Sequence, residues 1–186
     1  MTDTDFAQLI ENARQFSCLD DADIAVINSL ADRVKPRLPE VTDRFYARLQ
    51  SIDDAAFFLE GRLESLKKTH QAWLERVFSG VYDEDYALDM YRVGEAHVNV
   101  RLPLEFMAGA MTLITDALVP ILEECAESNH EFARAISAVN SVLGFSLILM
   151  QESYHATSLA NALNRFLKVT GMSRELFQNL ASTETD

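Results

Sequence analysis

Trp73-Leu74-Glu75-Arg76-Val77-Phe78-Ser79-Gly80 runs into Val81-Tyr82-Asp83-Glu84-Asp85-Tyr86 and on through Met90, Val93 and His97 to Val100-Arg101-Leu102-Pro103. One helix stops and another starts within this stretch. Leu63, Leu66, His70, Trp73, Leu74 and Val77 recur at helical spacing. Ser79-Gly80 ends that run, because Gly80 suits the left-handed residue that closes many helices. The acidic stretch from Tyr82 to Asp85 favours a new helix start, since carboxylates stabilise the positive N-terminal end. Met90, Val93 and His97 then share one face of the new helix. Pro103 fits the first turn of the next one.

Working outward, the pattern stays helical. Phe6, Leu9, Ile10 and Ala13 mark a short amphipathic helix, and Asp20 or Asp21 can cap a second through Ile24, Ile27, Leu30, Ala31 and Val34. Pro36 and Pro39 punctuate a break. Val41, Phe45 and Leu49 carry a third stripe, ended by Asp53-Asp54, and Phe57-Phe58-Leu59 form a short connection closed by Gly61. After Pro103 a helix runs through Phe106, Met107, Met111, Ile114, Leu118 and Ile121, with Pro120 placed to kink it. Ser128 with Glu131 reads as a capping box, followed by one long helix to about Phe166. No strand pattern competes, so the fold class is all-α, with seven or eight helices around one core.

The 186 residues carry 29 Asp+Glu against 16 Lys+Arg, a net charge of −13. A surface this acidic disfavours nucleic acid and anionic membranes as partners. Cys18 and Cys125 form no metal or disulfide spacing, which suits a reducing, cytoplasmic compartment. The first residues lack the basic-then-apolar pattern of a signal peptide. The longest uncharged run, Ala135 to Met150, falls short of the roughly 20 apolar residues of a bilayer crossing. It reads instead as a helix buried on more than one side.

The histidines are 70, 97, 130 and 155. Glu127…His130 and Glu152…His155 have the E-x-x-H spacing of di-iron bundles, but the first pair falls in a turn and cap, so both read as solvated surface. His97 stands on an apolar face. Alone, such a residue is more often a core histidine bonded to backbone. Imidazole is also a common axial ligand of haem iron, which needs an apolar slot and, for oxygen, a hydrogen-bond donor on the other wall. Phe45-Tyr46 and Phe57-Phe58 can furnish wall and donor.

Taken in order, Phe45-Tyr46, Leu66…Trp73-Leu74-x-x-Val77-Phe78-Ser79-Gly80, Tyr82-Asp83-Glu84-x-Tyr86 and Val93-Gly94-x-Ala96-His97-x-x-Val100-x-Leu102-Pro103 resemble the sensor globin of the globin-coupled sensor family, over roughly residues 20 to 168. The resemblance implies a globin-like helical sandwich with an extra N-terminal helix, one haem b (iron protoporphyrin IX) and a cytoplasmic gas-sensing role. It assigns His97 as the proximal iron ligand and Tyr46 as the distal donor to bound O₂, with CO and NO as other ligands. Leu66 and Thr69 match distal-helix positions, and His70 competes with Thr69 for the second. His70 is placed either to ligate the iron as a sixth ligand or to line the pocket. Phe45, Phe58, Leu66, Trp73, Val93, Val100 and Leu102 are the expected haem contacts. The family's His-x-Arg-Ile-Gly-Leu-Pro becomes His97-Val98-Asn99-Val100-Arg101-Leu102-Pro103 here, and Phe106-Met107 replace a Trp-Tyr pair. The last change removes a phenol that could tune the proximal histidine.

On the long helix Phe132, Ile136, Val139, Leu143, Leu147, Met150 and Tyr154 form one stripe, while Val142, Phe145, Ile148 and Leu149 point elsewhere. That second side suits a twofold partner, so a homodimer through the last two helices is expected, with charged substitution at Leu149 yielding monomers if it faces the partner; a deep single-chain core is the alternative. Residues 1–168 read as the sensor globin and 169–186 as the start of a linker to an output domain, by resemblance a diguanylate cyclase, otherwise a chemotaxis-type coiled coil. No catalytic constellation lies within the chain itself. A non-haem globin-fold interaction module and a haem peroxidase or dioxygenase are the competing readings.

Overall fold

The computed structural model describes residues 3–182, and side chains from 6 to 180. Residues 1–2, and residues 183–186 at the end of the expected linker, lie outside that range. Every regular element among the described residues is helical: α1 (Asp3–Ser17), α2 (Asp21–Val34), α3 (Leu38–Gln50), α4 (Asp53–Ala56), α5 (Leu63–Val77), α6 (Glu84–Asn99), α7 (Leu104–Cys125), α8 (Asn129–Thr170) and α9 (Arg174–Ser182). Single 3-10 turns at Lys35–Arg37 and Phe57–Leu59 account for the proline break and the phenylalanine connection.

Local signals set the boundaries. Asp20, not Asp21, caps α2, its carboxylate accepting from the Asp23 amide at 2.9 Å. Asp83 caps α6 by accepting from the Tyr86 amide at 2.9 Å. Ser128 caps α8 by accepting from the Glu131 amide at 3.1 Å. The Glu131 carboxylate reaches back to the Glu127 amide, one residue before its partner in a standard capping box. Gly80 adopts φ +71°, as its place after α5 requires. Pro120 sits inside α7 without ending it. The last long helix runs four residues past Phe166 to Thr170, because Gly171 is the first residue to turn left-handed, at φ +71°.

Two packing centres build the body. The helix α3 holds α5 and α7, while α8 holds α1, α2, α6 and α7. Tyr86, Phe78, Phe145, Leu118 and Leu149 are fully buried between them. The Tyr86 hydroxyl lies 2.7 Å from Ser146 Oγ, which donates to the Val142 carbonyl, so the buried polar atoms are paired. Val142, Phe145 and Leu149 therefore belong to the core of a single chain, so at Leu149 the deep-core alternative holds and no partner is faced. The helix is apolar on so many sides that its pattern has no phase to say which side faces inward.

Two helices, Leu104–Cys125 and Asn129–Thr170, are long and apolar enough by length and composition to cross a membrane, contrary to the reading from the uncharged run alone. Half of the α8 window is buried inside this chain, against 28% for α7. The α7 face thus keeps an apolar surplus that its own chain does not cover. Beyond Tyr154 most of α8 is exposed, and Phe177 of α9 folds back edge-on against Phe166.

Gly94 is where α6 meets α8. A Cβ there would lie 2.2 Å from the Met150 carbonyl oxygen and 2.9 Å from Ser153 Oγ. The Ser153 hydroxyl in turn donates to the Tyr91 carbonyl, tying the two helices on either side of the contact. Gly94→Ala is expected to cost about 1–3 kcal/mol through overpacking, lowering Tm by roughly 2–4 °C per kcal/mol in a chain of this size. Gly109→Ala is the control, because nothing lies within 4 Å of a Cβ there. Equal melting temperatures for the two variants would contradict the contact.

Candidate haem site

His97 lies near the end of α6, one helix face with Met90 and Val93. Its Nδ1 is 2.7 Å from the Val93 carbonyl, one turn back. A carbonyl only accepts, so Nδ1 carries the proton and Nε2 is left with a free lone pair. Backbone bonding is the mark of an ordinary core histidine, but here it uses the nitrogen that a metal does not need. Such a bond on the far nitrogen is the usual companion of metal-ligating histidine. Burial pushes the imidazole below its ordinary pKa, with the Val93 bond opposing, so the ring is neutral and able to ligate at neutral pH.

A second group of candidate residues gathers on α3 and α5. Phe45 and Tyr46 are each 6% exposed. His70 stacks on Phe45 with centroids 4.6 Å apart and planes 6° apart. It meets the Tyr46 and Trp73 rings at 5.6 Å each. His70 Nδ1 lies 3.0 Å from Thr42 Oγ1, while its Nε2 is buried with no hydrogen-bond partner. An unmet buried polar atom costs about 1–3 kcal/mol, which makes it a mark of a site built to receive something. Burial lowers the His70 pKa to about 4 and raises that of Tyr46 to about 12. Both are therefore neutral at physiological pH, and Tyr46 keeps its hydroxyl proton.

Trp73 joins the two walls. Its indole Nε1–H donates to Met90 Sδ at 3.1 Å, linking the inward face of α5 to the helix face that carries His97. Leu66, Val93 and Leu102 are half-buried apolar side chains packed at the edge of the core. Phe58 meets Phe106 edge-on at 6.1 Å, so the residue in place of the family's Trp joins the connection after α4 to the start of α7. The Leu102 amide bonds the His97 carbonyl, and the Leu102 carbonyl accepts from the Tyr154 hydroxyl at 2.9 Å, which ties α8 to the corner after α6.

Two expected contacts stand apart. Thr69 is exposed, and its hydroxyl donates to the Ser65 and Leu66 carbonyls of its own helix. Successive helical residues point about 100° apart, and it is His70 that turns inward. Val100 is 41% exposed, because α6 has ended and the chain is turning through Arg101 at φ 57°. Thr42 was not among the expected residues. It is 3% exposed, and its signal in the sequence is a polar residue one turn before Tyr46 on the same inward face.

Neither E-x-x-H pair forms a centre. Glu127 is 85% exposed and pairs with Arg33 at 3.2 Å. His130, Glu152 and His155 are exposed. Two surface grooves open elsewhere, one between α3 and α7 beside Arg44 and Asp116, the other between α7 and α8 beside Met111 and Leu147. Neither borders His97, so the case for a prosthetic group rests on the side chains themselves. They fit haem: one neutral imidazole with one nitrogen locked by Val93, apolar neighbours, and the buried polar groups of Thr42, Tyr46 and His70 on α3 and α5, linked to the His97 helix through Trp73 and Met90.

The protoglobin family profile matches residues 6–159. The fold is similar to the globin domain of the Geobacter sulfurreducens globin-coupled sensor, at 30% identity and TM-score 0.67, over 77% of this chain and 96% of that one. It is also similar to the globin domain of E. coli DosC, solved in ferric and ferrous forms, at 18% identity and TM-score 0.63, over 80% of this chain and 97% of that one. With that profile over most of its length and a 30% identical globin domain covered almost entirely, the chain belongs to the protoglobin family, as a globin domain of the globin-coupled sensor kind.

Proposed function

We propose that this chain is a cytoplasmic, haem-based O₂ sensor domain whose haem b is held by His97. The observation that carries the reading is the His97 Nδ1 bond to Val93, which leaves Nε2 as the free ligand atom on an apolar face. The ferric and ferrous forms of the E. coli DosC globin domain support an iron-bearing group in a relative of this fold. His97 would hold the haem, and ferrous haem would supply the chemistry that binds a diatomic gas.

The chain's own residues then decide which gas is preferred. Tyr46 holds its proton on the hydroxyl and donates it to a ligand that carries partial negative charge. Such a bond is worth about 1.5–3 kcal/mol, and CO, nearly apolar, gains far less from it. Phe45, Leu66 and Trp73 keep water from the slot. The Leu102 corner couples movement at His97 to α8 through Tyr154.

Output from such a domain requires a surface that leaves the body. The apolar surplus of α7, with the groove of about 540 Å³ that it forms against α8, favours a second copy as its occupant. Met111, Thr115 and Leu147 line that groove. In this reading residues 1–168 are the sensor and 169–186 open a linker. A diguanylate cyclase is the favoured output, by the likeness of residues 173–186 to the approach to such a domain.

Three outcomes are expected. His97→Ala abolishes or greatly weakens haem uptake, read as loss of the Soret band; an undiminished band removes the ligand role. Tyr46→Phe speeds O₂ dissociation by roughly tenfold to a hundredfold, while CO dissociation stays almost unchanged; stopped-flow rates equal to those of the unaltered chain remove the donor role. Leu147→Glu converts the dimer to monomer in sedimentation velocity, and a chain already monomeric at micromolar concentration refutes the interface.

A further inference from the structure

We propose that Thr42 fixes the tautomer of His70, turning His70 Nε2–H into a second hydrogen-bond donor in the distal pocket and keeping that ring off the iron. The inference deepens the gas-sensing reading, and its functional arm rests on that reading.

The hydrogen count of the pair carries it. Thr42 is buried, and among the described residues His70 Nδ1 is the partner of its hydroxyl. His70 is neutral, so it bears one N–H. If the proton sat on Nδ1, that group would donate to Thr42 Oγ1. The Thr42 hydroxyl hydrogen would then have no acceptor, and the buried Nε2 lone pair would have no donor. If the proton sits on Nε2, the Thr42 hydroxyl donates to Nδ1, and one unmet group remains: an N–H, buried and unpaired until a ligand arrives. The second arrangement leaves fewer buried polar atoms unmet, and unmet buried atoms are what folding avoids.

Ring packing holds the arrangement. The stack on Phe45 and the Tyr46 edge hold the ring plane, and within that plane a 180° flip of the ring would break the Thr42 bond. A protonated Nε2 has no lone pair to give to iron. It has a hydrogen to give to an electronegative ligand atom, beside the Tyr46 ring, 5.6 Å between centroids. The pair therefore acts as a selector: Thr42 decides whether His70 supplies a donor or a ligand. Thr42 is a positioning residue, acting through His70.

The test uses the full chain with Thr42→Val, which keeps the shape and removes the hydroxyl, and Thr42→Ser, which restores it. Two-bond ¹H–¹⁵N correlations of His70, assigned by their loss in His70→Leu, report the tautomer. They are read in the haem-free chain and in the ferrous CO adduct, both diamagnetic. The unaltered chain and Thr42→Ser are expected to show Nε2 protonated, and Thr42→Val a mixture or the Nδ1-protonated form. In the haem-loaded chain Thr42→Val is expected to speed O₂ dissociation by about tenfold and to gain a six-coordinate low-spin ferrous spectrum without added ligand, with Thr42→Ser within about twofold of the unaltered rate. An Nδ1-protonated ring in the unaltered chain overturns the proposal, as does a tautomer that Thr42→Val leaves unmoved. A chain with no Soret band overturns the haem reading instead, and the haem-free spectra still decide the tautomer.

Discussion

The backbone-to-backbone approach of α6 and α8 at Gly94 is the constraint on which the site depends. No side chain separates the helices there, so the axis of α6 is set by the Met150 carbonyl rather than by adjustable packing. His97 follows three residues later, on the face that Met90 and Val93 share. Its direction is thus inherited from a rigid contact, and the Val93 bond fixes the remaining freedom, the rotation of the ring. As the proposed iron ligand, an imidazole placed this way would need little reorganisation on binding, which is how scaffolds make metal sites precise.

The distal side follows the opposite logic. It buries polar groups among apolar neighbours: Thr42, Tyr46 and His70 on α3 and α5. Burying them costs stability, and one atom, His70 Nε2, is left unsatisfied. In the proposed site the proximal wall would hold the group and the distal wall would discriminate among its ligands. Trp73, bonded to Met90, is the hinge of the two, since it belongs to the distal helix and touches the proximal one.

Much of this was legible in the residues, for reasons that differ by element. Helix starts at Asp20, Asp83 and Ser128 are local chemistry, a side-chain oxygen for a free amide, and need no knowledge of the rest of the fold. The end at Gly80 is equally local. The facing of α8 was not legible, because Leu147 and Leu149 are both apolar and a helix apolar on several sides carries no phase. Tertiary packing alone puts Leu149 inside. Between Thr69 and His70 the resemblance leaves the choice open, whereas the stripe of Leu63, Leu66, His70 and Trp73 already puts His70 on the inward face. Thr42 escaped because its partner lies 28 residues away, on another helix.

At about 1.5 Å per residue, the 42 residues of α8 make a rod near 63 Å long. Its last firm attachment to the body is the Tyr154 hydroxyl on the Leu102 carbonyl. Past that point the mostly exposed end of α8 meets the fold-back of α9 through Phe166 and Asn164. A tilt of about five degrees there swings the far end by about 2 Å over the ~24 Å that remain, a displacement large against the tolerance of packed side chains. In the proposed sensor, strain too small to see around the corner at Leu102 would reach the far end of the helix as a visible stroke.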